Sequence, residues 1–272
     1  MIVTITNALA GIPNKKIAGG AVSLLTKIYG SRTKVSYNKK GYWSQEAEGW
    51  IVHDVFPNVR LRITEVKEEI KDIFFNEYTP KQGDVCIDVG AGIGTETMYA
   101  GELIGTEGKL YAIEAAPLTY QLLCANVASN HLNNVTCSQL AITDVPGTIR
   151  ISSQKKSHEK NSIFTGGGEN VNAITMDDLV IRNNIQKIDF LKVNIEGAEK
   201  LLIRQFNKIK IVHHAAIACH DFLGRKFNDE TYFTRKIIEE FMSKNNFEIY
   251  SRNTGIDYKD DWVYGRNKDF EN

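Results

Sequence analysis

The chain has 272 residues, 33 basic and 33 acidic side chains, and 42% hydrophobic content, which suits one or two globular domains whose core needs no covalent staples. Zero net charge argues against a nucleic-acid binder, which carries a basic excess, and no stretch reaches the roughly 18 apolar residues that cross a bilayer. The four cysteines, Cys86, Cys124, Cys137 and Cys219, form no CxxC pair and no zinc-ligand spacing. They read as free thiols of a reducing compartment, and without a cleavable leader pattern at the start the expected location is cytoplasmic.

Residues 7–30 read as a Gly-interrupted helix. Its part Ile17–Tyr29 is amphipathic, and packing on the domain is the simpler reading, with peripheral contact to a membrane or partner as the alternative. Residues 33–63 are rich in Tyr, Trp, Val and Thr and predict short strands, for example Gly49–Asp54 and Val59–Thr64. Residues 65–77 place Val66, Ile70, Ile73 and Phe74 on one helical face. Residues 1–64 are thus set apart as an extension, an acceptor-site or oligomer element, from a main domain over 65–272.

From Val85 onward strands and helices alternate. Strands are expected at Val85–Val89, Lys109–Ile113, Val135–Leu140, Thr148–Ser152, Ile188–Val193, Ile211–Ala218, Phe247–Ser251 and Trp262–Tyr264. Helices are expected at Thr95–Leu103, Pro117–Ser129, Met176–Asn183, Ala198–Phe206 and Asp229–Asn245, and a polar loop at Lys155–Asn170. This pattern implies an α/β fold, a mostly parallel sheet with helices on both faces. The short polar link 252–261 favours an antiparallel last pair, so the sheet is expected to end with one reversed strand.

The chemistry concentrates at strand ends. Val85–Val89 runs into Gly90-Ala91-Gly92-Ile93-Gly94-Thr95, a glycine turn that lets the backbone approach a ligand closely at the carboxyl end of the first strand. The spacing is GxGxG rather than the GxGxxG of dinucleotide sites. Asp88 precedes it, where a carboxylate would repel a pyrophosphate but suit a cationic amino-acid moiety. Glu114 ends the second strand, the place of an acid that accepts ribose hydroxyls. Together these favour S-adenosylmethionine over NAD. Gln139 and Leu140, at the end of the third strand, are placed to bracket an adenine ring. The fourth strand carries Lys192, Asn194 and Glu196 to its tip, and a buried lysine there needs carboxylate partners. The next strand ends in His220, a natural base for a hydroxyl near neutral pH.

These segments, GDVCIDVGAGIGTET (83–97), YAIEAAP (111–117), ITMDDL (174–179), IDFLKVNIEGAEKLLI (188–203) and the strand ending in His220, resemble the FkbM-type methyltransferases over about residues 65–265. The resemblance implies a Rossmann-like class I methyltransferase with a seven-stranded sheet, one strand antiparallel. It implies methyl transfer from S-adenosylmethionine, leaving S-adenosylhomocysteine, to a hydroxyl of a sugar, a glycolipid or polysaccharide precursor, or a secondary metabolite. It implies cofactor contacts from Asp88, Gly90, Gly92, Gly94 and Glu114, to which Thr95, Ala115, Gln139 and Leu140 are added by position. Lys192, Asn194, Glu196 and His220 fall at the catalytic face. Asn194 stands where the family usually has Asp; an amide is no base and a poor ligand for a hard cation, so no metal is assigned and His220 is the expected base. The rival readings are a cofactor-binding module with weak or no turnover and an NAD-dependent oxidoreductase. The partner is a small-molecule or glycan acceptor rather than nucleic acid, and a homo-oligomer is left open.

Overall fold

In a computed structural model, the described residues are 8, 11–31, 33–151 and 168–270. The first helix, α1 (Lys15–Ile28), starts where the Asn14 side chain accepts a hydrogen bond from the Ile17 amide, an N-cap that satisfies one orphan donor. It lies on a three-stranded antiparallel sheet, β1 (Lys34–Tyr37), β2 (Trp43–Ala47) and β3 (Trp50–Asp54). The outer edge of β3 is closed by the main domain. Asn126 of α4 (Pro117–Ser129) and Asn130 at its C-cap each donate to and accept from β3 backbone, at His53 and Ile51 respectively. Those two amides occupy the ladder positions of a missing strand and leave the edge no open backbone pairing there. Trp50 and Val52 also share one core with Cys86, Met98 and Tyr99.

After α2 (Ile63–Ile73) come β4 (Val85–Val89), α3 (Thr95–Ile104), β5 (Lys109–Glu114), α4 and β6 (Val135–Gln139). A small sheet follows from β7 (Ala141–Ile142), β8 (Gly147–Ile151) and β9 (Glu169–Ile174), in the order β7-β9-β8. The chain continues through α5 (Met176–Arg182), β10 (Ile188–Val193), α6 (Glu199–Arg204), β11 (Val212–Ala218), α7 (Asp221–Phe227), α8 (Arg235–Lys244), β12 (Phe247–Ser251), α9 (Asp257–Asp260) and β13 (Trp262–Asn267).

The main sheet has seven strands in the order β12-β13-β11-β10-β4-β5-β6, parallel except for β13, which runs against both neighbours. This is the Rossmann-like arrangement expected from the sequence. The reversed strand lies between β11 and β12 rather than at the edge. Every residue of β10 is buried, because apolar clusters cover both sheet faces. The chain leaves β4 toward β5 and β6 on one side and returns to β10 and β11 on the other, so a crevice opens at the carboxyl ends of β4 and β10, the switch point where open α/β sheets take ligands.

Several local expectations shift. Val59, Leu61 and Ile63 alternate inward as a strand would, but the segment has no ladder and Ile63 begins α2. The helix expected over 229–245 is a short turn, Glu230–Tyr232, followed by α8. The helix α7 carried no period that announced it. The loop expected over 155–170 lies outside the described residues as far as 167, and residues 169 and 170 already belong to β9.

Candidate active site

The glycine turn after β4 is built against β10. The amides of Gly90 and Ala91 both donate to the Ile113 carbonyl, and the Asn194 amide donates to the Val89 carbonyl. Gly90 has φ +75°, and a Cβ there would stand 1.9 Å from the Asn194 carbonyl oxygen, so only glycine fits between the two strand ends. Gly94 is held differently: a Cβ would meet Leu123 Cδ1 at 2.5 Å. Gly92, at φ +59°, has no atom within 4 Å of the position a Cβ would take. That free space belongs to a cavity of about 420 Å³, within the roughly 300–1,000 Å³ of small-molecule sites.

The cavity wall includes Gly90, Gly92, Thr95, Glu114, Ala115 and Leu140 of the expected cofactor set, and Lys192, Asn194 and Glu196 of the expected catalytic set. Gly94, Gln139, Asp88 and His220 stand outside it. Leu140, Ala141 and Ile142, rather than Gln139, form the wall beyond β6.

Glu114 is buried and held by two backbone donors, Gly92 N to Oε2 at 2.9 Å and Ala116 N to Oε1 at 2.8 Å. Burial pushes its pKa up, and those amide hydrogen bonds act against the rise. Each carboxylate oxygen keeps a second lone pair, which fits a pair of ribose hydroxyls.

Asp88 is held by side chains of the protein. Its carboxylate points into the protein, where Lys192 Nζ lies 2.9 Å from Oδ1 and Thr97 Oγ1 donates to Oδ2 at 2.6 Å. The side chains of the ion pair are only 7% and 4% exposed. Lys192 also donates to the Gly90 carbonyl at 2.9 Å. Burial works to lower the Lys192 pKa, but Asp88, Glu96 and Glu114 outweigh it and the ammonium is held charged. The pair therefore ties β10 to the glycine turn, and the Lys192 ammonium balances the Asp88 charge.

His220 sits among carboxylates. Its ring is 7% exposed, with Nδ1 3.0 Å from Glu199 Oε1 and Nε2 3.8 Å from Glu196 Oε1. Burial favours the neutral ring, but Glu199, Glu196 and Asp261 raise the pKa to about 9. Those carboxylates favour the protonated ring. Glu199, fully buried, also accepts from the Ile195 amide and so closes the turn 195–199. Glu196 (φ +54°) and His220 (φ +57°) both hold left-handed backbone, strain of roughly 1–3 kcal/mol each that persists where surrounding structure imposes it.

Sequence reasoning missed part of the remaining wall. Glu96 looks like an acid suited to a helix N-terminus, and Ile151 belongs to the small sheet β7-β9-β8, whose pairing no local signal announces. Both line the cavity, as does Ile142, whose segment the sequence placed over the crevice.

The family model described as "Methyltransferase FkbM domain" matches residues 88–249. The chain belongs to the FkbM methyltransferase family. Its reaction class is methyl transfer and its cofactor is S-adenosylmethionine. Among curated proteins it is similar to "Probable cobalt-precorrin-6B C(15)-methyltransferase (decarboxylating)" of Sulfolobus acidocaldarius, 29% identical over 143 residues, 52% of this chain and 70% of the relative. It is also similar to "Hexuronic acid methyltransferase AglP" of Haloferax volcanii, 24% identical over 209 residues, 76% of this chain and 80% of the relative. Of solved structures, methyltransferase FkbM from Methylobacillus flagellatus KT aligns at a TM-score of 0.49 with 14% identity. That alignment covers 76% of this chain and 51% of the other, so the chain spans about half the length of that protein. Among the described residues no helix is long and apolar enough to cross a membrane.

Proposed function

We propose that the protein methylates a hydroxyl oxygen of a sugar-class acceptor. The observation that carries the reading is the pair Asn194 and Glu196 on the cavity wall, beside the apolar side chains of Ile113, Ile142, Ile151 and Ile195 and apart in sequence from the Glu114 end of the site. The similarity to a hexuronic acid methyltransferase over 76% of the chain supports the acceptor class. The amino-methylating motif Asn/Asp-Pro-Pro-Tyr is absent after Asn194.

Bound S-adenosylmethionine supplies an electrophilic methyl carbon on a sulfonium. Glu114 holds the ribose, and the apolar wall excludes water from the developing C–O bond. Asn194 donates and accepts to orient the acceptor. Glu196 would take the acceptor's hydroxyl proton as that oxygen receives the methyl group the cofactor would supply. Lys192, pinned by Asp88, fixes the turn that positions the methyl donor. His220 acts through Glu196, whose place it sets, so it is a positioning residue. Alignment of this kind contributes roughly 7–11 kcal/mol to catalysis.

The test is incubation with S-adenosylmethionine labelled in the methyl group and a panel of hexuronic acids, neutral glycosides and amines. The reading expects label in a base-stable ether of a sugar, lowered at least tenfold in kcat by Glu196→Gln with KM for S-adenosylmethionine unchanged. Label in a base-labile ester, on nitrogen or on carbon sinks it.

A further inference from the structure

The zero net charge conceals an asymmetry: residues 1–64 hold nine Lys and Arg against three Asp and Glu, and the remaining chain holds 24 against 30. The basic excess surrounds α1, whose orientation inverts the usual pattern. Its inner face is made of small and hydroxyl-bearing residues: Ala18, Gly19, Val22 and Thr26 are buried. Thr26 Oγ1 donates to the Thr33 carbonyl at 2.8 Å, and the Val35 amide donates to Ser23 Oγ at 2.9 Å. Lys15 Nζ lies over the rings of Tyr37 and Trp43 at 5.3 and 5.8 Å, which fixes the start of the helix. These contacts set the rotation of α1 about its axis. What then faces outward is a stripe of Ile17, Leu24 and Ile28, exposed by 61%, 61% and 69%. At 100° per residue these three fall within about 40° of one another. Lys16 and Lys27, both exposed, run along one edge of the stripe.

We propose that this outer face of α1 seats the protein on an anionic lipid surface, its apolar stripe sunk at the headgroup level and its lysines against lipid phosphates. A helix lying in the interface needs an apolar face, a cationic flank and no spanning length, and α1 has all three in 14 residues. Charge complementarity selects the occupant. A second copy would bring an equal basic excess against this one, whereas anionic lipid attracts it. Lys39 and Lys40, exposed at the β1–β2 turn, extend the positive surface of the same unit.

The experiment is sedimentation of the full chain with vesicles of equimolar phosphatidylglycerol and phosphatidylcholine, with pure phosphatidylcholine vesicles as control. Binding to the anionic vesicles only, released by high salt, is expected. Leu24→Glu should weaken it at least tenfold, and Lys27→Gln roughly fivefold, the share of one lysine at a charged surface. Leu24 is exposed, so the variant should keep wild-type thermal unfolding and S-adenosylhomocysteine binding; Ile28→Glu serves as the second variant should it not. No binding to either vesicle, or equal binding by wild type and both variants, overturns the proposal. So does a wild-type dimer that Leu24→Glu splits into monomers without any vesicle binding, which would place a second copy on this face.

Discussion

Lys192→Met keeps a long apolar side chain and removes only the ammonium that lies 2.9 Å from Asp88 Oδ1. Both side chains are almost wholly buried, so water cannot replace the lost charge, and an uncompensated partner of a buried pair costs roughly 3–5 kcal/mol. Loss of the hydrogen bond to the Gly90 carbonyl adds about 1 kcal/mol. The expected loss is therefore roughly 4–6 kcal/mol, a large share of the roughly 5–15 kcal/mol that stabilises a typical fold. Equilibrium unfolding in urea, extrapolated linearly, measures it. Adding Asp88→Asn removes the orphaned charge while keeping an acceptor for Thr97, so the double variant should be at least 2 kcal/mol more stable than additivity of the two singles predicts, beyond the roughly 0.3–0.5 kcal/mol scatter of independent sites. A Lys192→Met protein within about 1 kcal/mol of wild type, or strict additivity, would refute the claim that this pair ties β10 to the glycine turn.

The two glycines should separate folding from binding. Gly90→Ala pushes a methyl into the Asn194 carbonyl and should not accumulate as folded protein. Gly92→Ala meets no atom, costs roughly 1–2 kcal/mol for its left-handed backbone, and should weaken S-adenosylhomocysteine binding at least tenfold by calorimetry. The His220 pKa, raised from 6.5 to about 9, makes stability pH-dependent. Its contribution is full below pH 6.5 and is lost as pH rises through 9, a fall of about 3 kcal/mol. Urea unfolding across that window should show the fall, and His220→Gln should abolish it; a flat wild-type profile would contradict the ion pairing with Glu199.

The sheet was legible because strands β4, β5, β10 and β11 are short apolar runs ending in Gly, Glu, Asn or His, and such runs have few other places in an α/β fold. The glycine turn was legible for a steric reason, since Gly90 lies where no Cβ fits. The partners of Asp88 and His220 were not. A sequence shows an acid at a strand end but not the ammonium that a strand about a hundred residues later places beside it, as Lys192 does for Asp88. His220 has the right chemistry for a base, yet the pairing of β10 with β11 brings it between two carboxylates that hold its proton. Ile151 reached the cavity through a small sheet whose partner strand β9 begins at the end of the segment read as loop and otherwise falls where no element was expected. Alternation at Val59, Leu61 and Ile63 reported burial correctly but not a ladder, because period two describes any extended chain with one face covered.

The central claim is that the cavity bordered by Gly92 and Glu114 takes S-adenosylmethionine, with Glu114 on the ribose. Calorimetric titration of the purified chain with S-adenosylhomocysteine, with NAD as the control, tests it most directly. Two charge-assisted hydrogen bonds of roughly 1.5–3 kcal/mol each imply that Glu114→Ala weakens binding by roughly two to four orders of magnitude. Micromolar binding that the variant loses, with no heat from NAD, is the predicted result. Binding unchanged in Glu114→Ala, or tighter binding of NAD, would contradict the account.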